Sequence, residues 1–559
     1  MTKTTVMLIV VALAAASYGL DAQVSSDRLL RANDEPQNWL TYSGSYMSQR
    51  YSLLKQIETS NAKNLELKWM MQNQVFGTWE TSPLVVDGIM YLTQRPNDVM
   101  ALDAKTGRMF WLYRYTNSGR QTVCCGAQNR GVAILGDTLF MGTLDAHLVA
   151  IDTKNGKPLW NVAVADDKLA YSITLAPLVV KDKVIIGVGG AEYGIRGFVA
   201  AYDPKSGREV WRFNTIPGKG DPGNETWSGE AWEHGGGSIW VTGSYDPATN
   251  LTYWGTGNPG PDWNPDQRPG DNLYTDSVVA LDAGTGKLKW HYQFTPNDGY
   301  DYDSVQVPVL ADLMWKGTVT KAMLWANRNG NFYVLDRENG KFLSGTPFVK
   351  VNWMSGFDEG GKPIQTPQPP GKVTYPGNQG GTNWYSPSYS PRTGLFYVSA
   401  WENYGSIYRK ETVPFEPGRR FNGGGNTVAM PNPDAPAMRR NAINDWTDVV
   451  GRGAVIAIDP KTGQPKWKFQ MYDVTDGGIL TTAGDVLFTG GREGYFHALD
   501  ARTGVELWKA NLGGAIMSAP VTYSVDGKQY VIVNSGNVMA AFALRTCGCG
   551  SCWPSGTPG

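Results

Sequence analysis

Short apolar runs broken by polar turns recur along most of the chain, and one unit of that pattern keeps returning. Its first full copy is Ala101 to Trp111, ALDAKTGRMFW. The apolar start predicts a strand, DAKTGR a turn, and the end a second strand. Asp103 can bond the backbone two residues on, and Gly107 supplies the positive φ that the turn needs. Trp111 then offers a large apolar plate. Close copies start at Ala150, Ala201, Ala280, Ala457 and Ala498, and a weaker one, VLDRENGKFLS, starts at Val334 and lacks the Trp. Self-similarity of this kind indicates a repeat architecture.

Ahead of each copy lies another apolar strand, turn and strand, as in SPLVVDGIMYLTQ from Ser82. The two halves make four short strands, the unit of a β-propeller blade. The spacing is 49 residues from Ala101 to Ala150 and 51 from Ala150 to Ala201, with insertions around 212–235 and 399–450. After the last copy, Ala519 to Leu544 supplies only three strands. The missing one is predicted in NLELKWMMQ, Asn64 to Gln72. The expected fold is therefore all-β, an eight-bladed propeller over 23–545 whose last blade is shared by both chain ends. Such closure leaves no exposed sheet edge.

Length alone would suggest several domains in 559 residues, but the repeat favours one ring. The formal charge is −1 and there is no basic run, so nothing points to nucleic acid. Residues 1–22 carry Lys3, an apolar run from Val6 to Ala16 and then small residues. They read as a signal peptide for export to the periplasm. The apolar core is too short to cross a bilayer, which takes about 20 residues, and no membrane span is expected elsewhere. Cys124 and Cys125 are adjacent, and Cys547, Cys549 and Cys552 crowd a tail at 546–559. There is no CxxCH, so no covalent haem is expected in this chain. The four histidines show no zinc spacing and read as structural.

Several stretches break the blade rhythm with residues that a β-core does not select. In order they hold Glu80, Cys124-Cys125 with Arg130, Thr174, Gly190-Ala191-Glu192, Ser238 with Trp240, and Asn258. Asp298, Asp301 and Asp303 follow in NDGYDYD, then Arg328, and then Asn383 with Trp384. Any one Asp or Asn in such a stretch is more often a turn former. Propeller loops from successive blades converge on the axis, however. Glu192, Asn258, Asp301 and Asp303 would there offer only oxygen ligands, which suit a hard cation. Asp301 and Asp303 are two residues apart, so on a strand both side chains would share one face.

The combination resembles the quinoprotein alcohol dehydrogenases, the methanol and ethanol dehydrogenase family that uses pyrroloquinoline quinone (PQQ). The likeness rests on the Trp-bearing copies with CCGAQNRG, GGAEYGIRG, GGGSIW, GTGNPGPDWN and NDGYDYD. It implies that Cys124 and Cys125 form a vicinal disulfide on one face of PQQ, with Trp240 on the other. Glu80, Arg130, Thr174, Ser238, Asn383 and Trp384 would surround the rim, and Gly190 and Ala191 would give backbone contacts. Metal ligands would be Glu192, Asn258, Asp301 and Asp303. Asp301 would be the catalytic base, and Arg328 would stand beside the reactive quinone oxygens.

The resemblance further implies oxidation of primary alcohols to aldehydes, with hydride passing to metal-polarised PQQ and electrons to a separate c-type cytochrome. A homodimer stays open. Asp303 marks the lanthanide members, so a lanthanide is expected and calcium is the alternative. Other readings are a non-catalytic propeller scaffold for protein assembly, or a quinoprotein acting on sugars or polyols. Two features depart from the family pattern: CCG where CCD is usual, and the Cys-rich tail.

Overall fold

The computed structural model describes residues 23–117, 123–429 and 451–545. The signal-peptide and tail readings fall outside them. Eight antiparallel four-stranded blades form; six are built from four successive strands, while a hairpin interrupts blade six and an N-terminal strand completes blade eight. Blade one runs Leu84–Val86, Ile89–Gln94, Asp98–Asp103 and Met109–Tyr113. Blade two spans 133–163, blade three 178–214, blade four 244–293 and blade five 309–347. Blade six spans 388–470 and blade seven 480–511. In blade eight Leu65–Gln72 pairs antiparallel with Val538–Leu544, so the two ends of the chain close the ring as the strand count predicts. Among the described residues no helix is long and apolar enough to cross a membrane.

The repeated Gly and Trp explain how the blades lock together. Gly107 takes φ +73°, and Asp103 Oδ1 accepts the Lys105 N–H at 2.8 Å, as the turn requires. A Cβ on Gly107 would lie 2.6 Å from the Trp69 ring, so the preceding blade's indole rests on bare backbone. The same docking sets Trp111 on Gly156, Trp160 on Gly207, Trp211 on Gly286, Trp290 on Gly340 and Trp467 on Gly504. Where the weak fifth copy has Ser344 in place of Trp, Thr346 covers Gly463. Each such plate removes apolar area worth ~25 cal/mol per Å² and fixes the angle between neighbours.

The N-terminal segment does work that the repeat does not reveal. Tyr51–Ser52 adds a parallel fifth strand to blade seven. Backbone bonds tie Trp39 to Val85, Tyr46 to Tyr245, Met47 to Leu310 and Gln49 to Tyr389. The segment thus crosses the first strands of several blades. Arg50, fully buried, donates to the carbonyls of Tyr42 and Pro520 and to Ser82 Oγ. Tyr42 joins the apolar cluster that backs Trp240 and Trp384.

Candidate functional site

A cavity of about 290 Å³ is lined by residues from the connectors that lead into the first strand of each blade. Glu80 precedes blade one, Cys124 to Arg130 blade two, Thr174 blade three and Trp240 blade four. Asp301 and Asp303 precede blade five, Asn383 and Trp384 blade six, Asp476 blade seven and Met517 blade eight. A second set comes from the loops between strands two and three: Glu192 in blade three, Arg328 in blade five and Arg492 in blade seven. The ring thus gathers residues that lie hundreds of positions apart.

Cys124 and Cys125 are disulfide-bonded. Gly126 takes φ +108°, a conformation that disfavours a side chain. Arg130 is buried, pairs with Glu80 at 2.6 Å and donates to Thr174 Oγ1 at 3.0 Å. Its guanidinium lies 5.0 Å from the Trp240 ring and 4.9 Å from the Trp384 ring. Burial pushes the Glu80 carboxyl up, and Arg130 works against that shift. Asn383 caps its own loop, accepting from the Trp384 N–H at 2.9 Å. Ser238 lines the cavity and Gly190 does too, whereas Ala191 is buried outside the lining.

The carboxylates form the other wall. Arg328 donates from Nη2 to Asp301 Oδ2 at 3.0 Å and from Nη1 to Asp303 Oδ2 at 2.7 Å. Asp303 Oδ1 accepts the Asn258 N–H at 2.8 Å. The sequence expectation that Asp301 and Asp303 share a face through strand alternation is corrected here. Residues 301–305 are not in a strand, and Asp301 takes φ +62°. Asp298 builds the turn instead, accepting the N–H groups of Tyr300 at 2.9 Å and Tyr302 at 2.8 Å. Both carboxylates still reach one guanidinium.

Burial pushes Asp301 well above the usual carboxylate range; Arg328 opposes the shift and Asp303 adds to it. Burial also pushes Glu192 up to about 7, its backbone amide opposing and Asp303 adding. Asp262, buried behind Asn258, rises for the same reason, with Glu192 adding. Arg328 is held above its usual value by Asp301 and Asp303 against the lowering effect of burial. Carboxylates therefore outnumber the cations that reach them.

The described part of the 399–450 insertion, residues 399–429, covers part of this site. Its strands Gly405–Lys410 and Gly424–Ala429 form a hairpin. Phe415 stacks on His234 at 3.4 Å, and Phe421 meets that ring edge-on. The Phe421 N–H donates to the Glu192 carbonyl at 2.7 Å, and Arg420 Nη2 donates to the Cys124 carbonyl at 3.1 Å. Blade six thereby fastens the loops of blades two and three.

Residues 39–352 match the family described as glucose/ethanol/alcohol dehydrogenase, beta-propeller domain. The chain is 39% identical to quinoprotein alcohol dehydrogenase PedH of Pseudomonas putida, over 92% of this chain and 89% of that one. It is likewise 39% identical to 1-butanol dehydrogenase (cytochrome c) of Thauera butanivorans, over 93% and 77%. A solved europium-containing methanol dehydrogenase superposes with TM-score 0.86 at 34% identity, over 93% of this chain and all of that one. The chain belongs to the quinoprotein alcohol dehydrogenases. It is an alcohol-oxidising enzyme that uses PQQ. Residues 451–547 also match the family of the outer membrane protein assembly factor BamB, a likeness confined to the last blades.

The cavity fits what such a dehydrogenase must hold. A flat anionic cofactor suits a chamber lined by a disulfide, the Trp240 indole and the guanidinium groups of Arg130, Arg328 and Arg492. A hard cation suits the oxygen-only chemistry of Glu192, Asn258, Asp301 and Asp303; Asn258 lies outside the cavity lining, and among the described residues the oxygens of Glu192, Asp301 and Asp303 do not all come within 4.8 Å of one another. Asp276 is fully buried, and among the described residues neither carboxylate oxygen has a hydrogen-bond partner; burial pushes it well above the usual carboxylate range, and Arg268 opposes that shift. The cysteines near Glu192 are already bonded to each other, so they offer no thiolate to a metal.

Sequence reasoning passed over Asp262, Arg268, Asp476, Arg492 and Arg420. Asp262 sits inside GTGNPGPDWN and Asp476 inside VTDGG, where each looks like a turn residue. Arg492 pairs with Asp476 at 2.6 Å. The other two arginines lie in loops with no local pattern.

Proposed function

We propose that this dehydrogenase oxidises primary alcohols to aldehydes in the periplasm and hands the electrons to a separate c-type cytochrome. The observation that carries the reading is the Asp301–Arg328–Asp303 cluster, which faces a cavity also lined by Cys124–Cys125 and Trp240. When bound, PQQ accepts the hydride, and a metal ion polarises its carbonyl. The protein's own residues do the rest. Asp301 takes the alcohol's hydroxyl proton through Oδ1, the oxygen that Arg328 does not hold. Arg328 fixes the carboxylate and places positive charge where negative charge develops. Cys124–Cys125 and Trp240 hold the cofactor plane, and Arg130, Thr174 and Ser238 its polar rim. Glu192, Asn258, Asp301 and Asp303 hold the metal, which we assign as a lanthanide.

The cytochrome c in the name of the Thauera relative supports an external electron acceptor. The test is dye-linked oxidation of a panel of alcohols, sugars and polyols by purified protein with PQQ and metal. Primary alcohols are expected to give the highest kcat/KM. Preference for a sugar, or no reduction of added cytochrome c, would overturn the corresponding part.

A further inference from the structure

Asn258 is buried just after the second strand of blade four. Its Nδ2 donates to Asp262 Oδ1 at 3.1 Å and to the Pro259 carbonyl at 3.3 Å. No hydrogen bond from the described residues reaches its Oδ1. An amide can present either end to a ligand, and the N–H end repels a cation. Here both N–H contacts point back into the loop, which leaves the oxygen as the free end.

Asp262 is 2% exposed, and the mechanism above gives it no part. Its loop is held firmly. Arg268, itself fully buried, donates from Nε to the Pro261 carbonyl at 3.2 Å and from Nη2 to the Asp262 carbonyl at 3.4 Å. The same Nη2 donates to the Asp298 carbonyl. One guanidinium thus ties the loop of Asn258 and Asp262 to the turn that bears Asp301 and Asp303.

We propose that Asp262 is a positioning residue for the metal. Its carboxylate holds Asn258 with Oδ1 toward the ion, and its charge adds a fourth carboxylate behind Glu192, Asp301 and Asp303. Resting on the metal site proposed above, this role explains why an acid stands buried where a neutral side chain would be easier to bury. Partners of this kind fix the ligand's orientation, and their loss costs ~10–100-fold in metal affinity.

Europium(III) luminescence on the full chain with PQQ separates the possibilities. Titration gives affinity, and lifetimes in H₂O and D₂O count the waters on the ion. Asp262→Asn keeps an acceptor for Asn258 but loses the charge, so affinity should fall about tenfold with the water count unchanged. Asp262→Ala loses both, so affinity should fall further and one more water should bind as Asn258 lets go. Near-UV circular dichroism checks folding, and the Asn variant carries the test alone if the Ala variant does not fold.

Wild-type affinity in Asp262→Asn removes the charge role, and an unchanged water count in a folded Asp262→Ala removes the orienting role. If the wild-type chain binds no europium, the metal site itself fails and this inference with it. That result is distinct from normal wild-type binding with unaltered variants, which overturns the inference alone.

Discussion

Arg328 Nη1 and Asp303 Oδ2 form a buried ion pair at 2.7 Å. The other arm of the same guanidinium holds Asp301 at 3.0 Å. One cation therefore orders Asp301 and Asp303, two of the three carboxylates of the 298–303 turn. Removing the Asp301 charge leaves Arg328 paired with Asp303, so the fold should survive. Asp301→Asn is expected to cut kcat by at least ~10²-fold, the usual cost of losing a general base. Steady-state kinetics at verified metal occupancy make the check. Near-normal kcat would take the base role away from Asp301.

The vicinal disulfide makes a separate prediction. The Cys124–Cys125 peptide should resist alkylation until reduced, and its mass should lack two hydrogens. Replacing both cysteines by Ser should weaken PQQ binding by about tenfold, the scale of a lost stacking contact of ~1.5 kcal/mol. The fold should hold, because the pair is partly exposed and closes no long loop. Equal PQQ affinity in the double variant would show that the disulfide is not a face of the binding site.

Most of the ring was legible in the sequence because the repeat couples a turn Gly to a docking Trp. The turn Gly, as Gly107 under Trp69, recurs in every copy, and the docking Trp recurs in all but the one that starts at Val334. The N-terminal segment was not legible, since Arg50 is held in part by Ser82 and by the Pro520 carbonyl, 470 residues along the chain. In the site, Asp301 and Asp303 do line one cavity, but through a different local geometry from the one expected. A strand was expected, and a turn organised by Asp298 was found. Arg420 illustrates the hardest case. Its bond to Cys124 spans 296 residues, and no local pattern announces it.

Asp473 supplies a pH prediction away from the cluster. Burial pushes it up to about 6; the Val474 N–H and Arg492 oppose the shift, and Asp476 adds to it. A carboxyl with a raised native value keeps a proton that the unfolded chain has released. Its stabilising effect is thus complete below pH 3.8, the ordinary value, and is lost as pH rises through about 6. Asp473→Asn does not titrate, so it should gain on the wild type across that window. Allowing for partial exposure, the gain should be about 1 kcal/mol. Thermal unfolding at several pH values checks this. A difference that stays constant with pH would assign the shift elsewhere.

The last prediction concerns the ion. Glu192, Asp301 and Asp303 bring three carboxylates to one cavity, and Glu192 and Asp301 are both pushed up by burial and by neighbouring acids. Gathering that much negative charge in a dry site is costly, and a trivalent ion offsets it better than a divalent one. Asp303 is already paired with Arg328 and the Asn258 N–H, so its charge is not idle without metal. The added carboxylate should therefore tip selectivity rather than create the site. Metal-free protein with PQQ should be activated more by lanthanum than by calcium. Asp303→Ala should shrink that preference by at least ~10-fold while leaving some calcium response, because Glu192, Asn258 and Asp301 remain. Activity and metal content measured together over a titration of each ion give the ratio. Equal or better activation by calcium, or an unchanged ratio in Asp303→Ala, would move the assignment to calcium and leave Asp303 as the counter-ion of Arg328.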